Sequence, residues 1–187
     1  MTLPQEIPRY RLTEDDYHRM AEAGILGEDD RVELIQGKLI EMTPIGSDHA
    51  GTVALLIRML VEVAGEKAVV WTQNPLRLDR HSEPQPDVAL LRPRLDAYRA
   101  SLPTPDDVLL VVEVADSSLG YDRDVKGPLY AGHAIPEFWL VDLAARCLVH
   151  YRQPGADGYA RIDHQDSGAA APEALPQARL DLTELLG

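Results

Sequence analysis

The chain has 187 residues, 45% hydrophobic and 26% charged, a balance that suits one globular domain with a real core and excludes a disordered chain. Its 31 acidic against 18 basic side chains leave a net charge of −13, which argues against a broad basic nucleic-acid-binding surface; nucleic acid would have to be met through a local basic patch, cations or a partner protein. No apolar run approaches the roughly 20 residues of a bilayer span, the opening MTLPQEIPRYRLTEDDY lacks a signal-peptide layout, and one cysteine, Cys147, allows neither an internal disulfide nor a Cys-cluster zinc site. The expectation is a cytoplasmic protein without membrane contact, with Cys147 a small core residue.

In chain order, residues 1–12 read as an extended Pro-rich arm. Thr13 then caps a short helix with acids in its first turn and Gly24 at its end. DDRVELIQGKLIEM alternates around Gln36-Gly37-Lys38, a hairpin signal, with Glu33 on its first strand. The run from Ser47 to Gly65 predicts a helix of about five turns. Ser47 or Asp48 would cap it, and Val53, Leu56, Ile57, Leu60, Val61 and Ala64 form its apolar stripe. VVWTQNPLRLD predicts a strand disturbed at Asn74-Pro75. PDVALLR predicts a strand buried on both faces, and VLLVVEVA, the most β-prone run, a central one. DRDVKGPLYAGHA predicts a helix kinked by Pro128, which cannot donate to the carbonyl of Asp124. EFWLVD, CLVHYR and YARIDHQ are further strands, the last at an edge, and LDLTELLG a closing helix. The whole predicts an α/β fold, a mixed central sheet flanked by helices behind an N-terminal helix and hairpin. It reads as a single domain over 1–187, with an arm at 1–12, a core at 13–152 and a C-terminal extension at 153–187.

Two acids interrupt apolar strands, Asp87 and Glu113. A carboxylate on a buried strand is costly unless a cation meets it. If the two strands pair, both can face one side and hold a hard cation such as Mg²⁺, with Mn²⁺ as substitute. Asp87 could instead be a turn residue after Pro86. Asp122, Lys126 and Tyr130 follow at four-residue steps on one helix face, and there Lys126 can point back over the carboxylates, orienting the attacking water and stabilising charge on a phosphate. The plain alternative is a surface Asp–Lys pair beside a packed tyrosine. Glu33 is either a further catalytic acid or the exposed face of an alternating strand. His49 could touch a phosphate or a metal, though a capping or surface role suits it better. No second histidine stands at zinc-ligand spacing, and Ser117 and Ser118 lack the context of a nucleophile. Lys38, Arg77, Arg92, Arg94, Arg99 and Arg123 are the cations available to rim the site. With only mutual repulsion between Asp87 and Glu113, neutralising Glu113 should leave the protein as stable as before, or more so.

At these residues the chain resembles the Uma-type endonuclease family of the PD-(D/E)xK, restriction-endonuclease-like superfamily. The likeness rests on Pro86-Asp87, Glu113-Val114, Asp122, Lys126, Tyr130, EFWLVD, ELIQGKLIEM and the G-S-D-H helix start, and covers roughly residues 13 to 152. It implies a metal-dependent nuclease fold with Asp87 and Glu113 as Mg²⁺ ligands and the Val114 carbonyl as a third. The superfamily lysine, two residues after the acid, is replaced here by Ala115; the family resemblance suggests its displacement to Lys126. The reading is a Mg²⁺-dependent nuclease acting on nucleic acid, DNA ahead of RNA, as a homodimer suited to a duplex. Its rival is an inactive binding or interaction protein of the same fold, favoured by the acidic charge and by Ala115.

Overall fold

The computed structural model describes residues 9–27 and 29–187, so most of the expected arm, residues 1–8, lies outside them. The chain forms two compact units: Met1–Met42 with Arg77–Pro84, and Thr43–Leu76 with Gln85–Gly187.

In the smaller unit, α1 (Glu14–Glu22) starts where expected. Thr13 Oγ1 accepts the Asp16 N–H and the Asp16 carboxylate accepts the Thr13 N–H, a reciprocal cap that satisfies two donors the helix itself leaves free. The hairpin pairs β1 (Val32–Ile35) with β2 (Lys38–Glu41) in antiparallel register. Its two turn residues, Gln36 and Gly37, have φ of 51° and 79°, the left-handed pair that a two-residue hairpin turn needs. Gly37 is required twice over, because a Cβ there would stand 2.7 Å from the Arg11 Cβ.

The larger unit is built on six strands in the order β3 (Val69–Thr72), β4 (Val88–Leu91), β5 (Val108–Ala115), β6 (Glu137–Asp142), β7 (Cys147–Gly155) and β8 (Gly158–Gln165). All neighbours are antiparallel except β5 and β6. A parallel pair needs a crossover, and the segment after Ala115 supplies it as helix. Every residue of β5 is buried, as an interior strand covered on both faces should be. On one face Val88, Leu90, Val112, Val114, Trp139 and Val141 pack with α2 (Ser47–Ala64). Gly46, not Ser47 or Asp48, occupies the N-cap of α2, with no side-chain cap bond. Val61, expected in the apolar stripe, is instead exposed, and the neighbouring Met59 is buried in its stead. The sequence after residue 152 closes the same core: β8 extends the sheet, β9 (Ala169–Ala170) pairs with β10 (Leu180–Asp181), and α5 (Leu182–Leu186) buries Leu182, Leu185 and Leu186. Cys147 is half-buried at the start of β7 rather than in the core. Among the described residues no helix is long and apolar enough to cross a membrane.

The crossover departs from the expected kink. It runs as α3 (Leu119–Tyr121), a π turn over Asp122–Lys126, and α4 (Gly127–Gly132). Pro128 has no N–H to give the Asp124 carbonyl; the chain widens the turn ahead of it, and the Gly127 N–H reaches back to the Asp122 carbonyl. Pro128 then falls in the first turn of α4, where a missing donor is tolerated.

A buried polar network fastens β6 to β7 and to the C-terminal segment. Glu137 Oε1 accepts from Trp139 Nε1 at 2.7 Å and Arg152 Nε at 2.9 Å, and Oε2 accepts from the Glu173 N–H at 2.7 Å. Arg152 Nη2 lies 3.0 Å from His150 Nδ1; arginine only donates, so Nδ1 is the acceptor and His150 is neutral, its Nε2–H pointing to Gln165. At 3.9 Å from Glu137, His150 is a neighbour and not a hydrogen-bond donor to it. Burial alone would raise the Glu137 carboxyl, but the donors on it, the Glu173 N–H, Trp139 Nε1 and the Arg152 guanidinium, outweigh it and hold it below the usual carboxylate range. A lowered carboxyl contributes stability that is full above its unfolded value and is lost as pH falls through the folded one. Glu137→Gln is therefore expected to destabilise the protein by about 3 kcal/mol at neutral pH. Denaturant melts of both proteins should converge as pH falls below the ordinary carboxylate range; curves that stay parallel would show that the Glu137 charge is not the cause.

Candidate active site

Extending the β4–β5 register by one residue beyond Val88↔Val112 sets Asp87 opposite Glu113. Alternation turns Glu113, between Val112 and Val114, to the sheet face away from α2, while Asp87 stands just before β4, where the first turn of α2 also reaches it. The contacts agree: the Asp87 N–H lies 3.4 Å from Glu113 Oε2, and the Val114 N–H donates to Asp87 Oδ2 at 2.9 Å. The pairing of β4 with β5 thus brings the two acids next to each other. Within a strand a residue's N–H and C=O face the same neighbour, so the Val114 carbonyl also looks to the Asp87 side, while the Ala115 carbonyl turns the other way to accept from Leu143.

The crossover helix delivers the remaining groups. Lys126 Nζ is 3.1 Å and the Tyr130 hydroxyl 2.6 Å from Glu113 Oε1. Glu113 and Lys126 are nearly sealed from solvent, with side chains 4% and 5% exposed. Asp122, at the start of the π turn, is buried and accepts from Ser118 Oγ at 2.6 Å. The surface-pair alternative for this triplet is overturned by its burial.

His49, expected to be a capping or surface group, instead sits in the first turn of α2 with Nε2 3.0 Å from Asp87 Oδ1, and both side chains are largely buried. Gln73, which the sequence did not single out, donates its N–H to the Asp87 carbonyl at 3.1 Å, and its side chain is among the groups that oppose the rise of the Asp87 carboxyl. Its φ of 49°, at the residue where β3 ends before Asn74-Pro75, is the local mark of this bend. Glu33 belongs to the smaller unit, where it is buried on β1, which removes the exposed-face alternative.

Burial pushes the Asp87 carboxyl above its usual range; the Val114 N–H, His49, Lys126 and Gln73 oppose the shift without cancelling it. Among the described residues no cluster of three or more His, Cys, Asp or Glu could hold a metal. Two carboxylates and a backbone carbonyl, all hard oxygen donors, fit Mg²⁺, which commonly takes only one or two protein carboxylates and keeps waters. The Lys126 contact corrects the expectation that Glu113 meets only repulsion: its charge is shared with a buried ammonium. Of the candidate rim cations, Arg94 pairs with Asp96 and Arg123 with Asp124, each at 2.7 Å, so each is largely neutralised locally.

A mixed sheet flanked by helices, with two acids facing each other on antiparallel neighbours and a lysine from the following crossover, defines the restriction-endonuclease-like class. The family model described as "Uma2: Putative restriction endonuclease" matches residues 14–183, and the chain belongs to that family. A solved structure from Anabaena variabilis, described as "a putative nuclease belonging to DUF820", shares the fold with a TM-score of 0.74, covering 94% of this chain and 97% of that one. At 16% identity this likeness speaks for the fold alone. No curated protein matches the sequence.

Proposed function

We propose that this protein is a Mg²⁺-dependent nuclease that hydrolyses phosphodiester bonds in DNA, with Asp87, Glu113 and the Val114 carbonyl as the metal ligands. The observation that carries the reading is the meeting of Asp87 and Glu113 where β4 and β5 pair, beside Lys126. Mg²⁺ at these oxygens would draw charge from the phosphate and acidify the attacking water. Asp87 is held for such a role from both sides, Oδ1 by His49 and Oδ2 by the Val114 N–H. The Lys126 ammonium supplies a second positive charge; turned from Glu113 toward a phosphate oxygen, it orients the water and offsets charge in the transition state. A two-fold dimer would present one such site to each strand of a duplex.

The test pairs cleavage with binding. Plasmid DNA should be cut with Mg²⁺ or Mn²⁺ and spared with a chelator. Mn²⁺ at about 100 times its Kd should stabilise the native protein by about 2.7 kcal/mol in thermal melts. Asp87→Asn should abolish both responses.

Two observations favour a second reading, a protein of this fold that binds the metal and nucleic acid without cutting. The Lys126 ammonium is nearly buried and committed to Glu113, and Ala115 stands at the superfamily's usual lysine position. Stabilisation by Mn²⁺ with no cleavage of DNA or RNA in any form would establish it.

A further inference from the structure

Tyr130 is wholly buried, yet its hydroxyl is set 2.6 Å from Glu113 Oε1. Lys126 Nζ ends on the same oxygen at 3.1 Å. Two donors on Oε1 fix the rotation of the carboxylate and leave Oε2 as the oxygen on the Asp87 side, 3.4 Å from the Asp87 N–H. The two donors differ in kind. Lys126 carries the charge that a phosphate would attract and sits on a long flexible stem. Tyr130 is neutral and its ring is locked: its centroid is 5.4 Å from Phe138, which stacks at 5.1 Å on Tyr151. Tyr159 closes that cluster, 5.9 Å from Tyr151, and is itself tied by its hydroxyl to the Ile135 carbonyl at 2.9 Å.

We infer that Tyr130 is the positioning residue of the metal site: its hydroxyl holds Glu113 with Oε2 turned to Asp87, and keeps it there while Lys126 moves to the phosphate. A rigid neutral donor behind a ligating carboxylate fixes which oxygen meets the cation without competing for its charge. Outer-shell donors of this kind are worth about 10- to 100-fold in metal affinity. The inference rests on the reading of Asp87 and Glu113 as metal ligands.

The test is Mn²⁺ affinity, measured by calorimetry well below the melting range, for wild type, Tyr130→Phe and Tyr159→Phe. Tyr130→Phe keeps the ring and removes the hydroxyl; its Kd should rise about tenfold. Tyr159→Phe removes a hydroxyl from the same aromatic cluster and should lower stability while leaving the Kd as in wild type. An unchanged Kd in Tyr130→Phe, with wild type binding Mn²⁺, overturns the positioning role alone; a wild type that does not bind Mn²⁺ overturns the metal site and this role with it. A second measurement needs no variant to fold. Wild type carrying ¹³Cζ-tyrosine at position 130 should show that resonance moving with added Mg²⁺, at the Kd found for Mg²⁺ by calorimetry. A stationary resonance under saturating Mg²⁺ overturns the role as well.

Discussion

Glu113→Gln should destabilise the protein, remove its response to Mn²⁺ and reduce cleavage by at least about a thousandfold, the scale of losing a ligand to the ion that activates the nucleophile. Glutamine keeps the size of the side chain and an acceptor for the Tyr130 hydroxyl. It removes the charge facing Lys126, whose ammonium lies 3.1 Å away among nearly sealed groups. Weakening the neutralisation of a buried ammonium is a mechanism for large losses, and breaking a buried pair commonly costs 3–5 kcal/mol. Relief of repulsion between Asp87 and Glu113 works in the opposite direction, so we expect a net loss of about 3 kcal/mol without metal. Wild type should gain stability with Mn²⁺ and the mutant should not. Melting temperatures that rise equally in both proteins would remove Glu113 from the ligand set.

The acids of the site could be found in the sequence because each breaks a local rule. A carboxylate inside VLLVVEVA conflicts with an interior strand, and period-two alternation then decides which side of the sheet it faces. Lys126 and Tyr130 followed from helical spacing, which survives the π turn well enough to bring both to Glu113. The wide turn itself was not legible: Pro128 forbids one hydrogen bond, but whether a helix answers by bending or by widening depends on what packs against it. His49 was misweighed for a different reason. Its partner is 38 residues away, and nothing near Asp48-His49-Ala50 distinguishes a histidine that meets a buried carboxylate from one that meets water. Gln73 was missed because its role comes from a left-handed bend between β3 and Asn74-Pro75, and glutamine is not a residue that signals such a bend. The Glu137 network was invisible because Glu137, His150, Arg152 and Glu173 are ordinary at their positions until strand pairing and the C-terminal segment bring them together.

Lys126→Met is expected to separate binding from chemistry. Methionine has nearly the length and volume of the lysine stem and suits a buried position, so the packing around it should persist. Cleavage should fall by about 10²- to 10³-fold, the loss seen when a preorganised charge aimed at the transition state is removed. Mn²⁺ binding should survive, because an ammonium is not a ligand and two opposing effects follow its removal. Losing a positive charge near Asp87 and Glu113 favours a divalent cation by Coulomb attraction. Losing the same charge raises the proton affinity of the carboxylates, so protons compete harder with the metal. Burial already lifts Asp87, with Lys126 among the groups that oppose the shift, so this second effect is largest at low pH and fades as pH rises. The Kd for Mn²⁺ should therefore stay within about tenfold of wild type near pH 8 and weaken more steeply than wild type as pH falls. Calorimetric titrations at several pH values, run beside plasmid cleavage, measure both halves. Intact cleavage would exclude Lys126 from the chemistry. Loss of Mn²⁺ binding at every pH would instead make the lysine a structural counterion whose removal collapses the site.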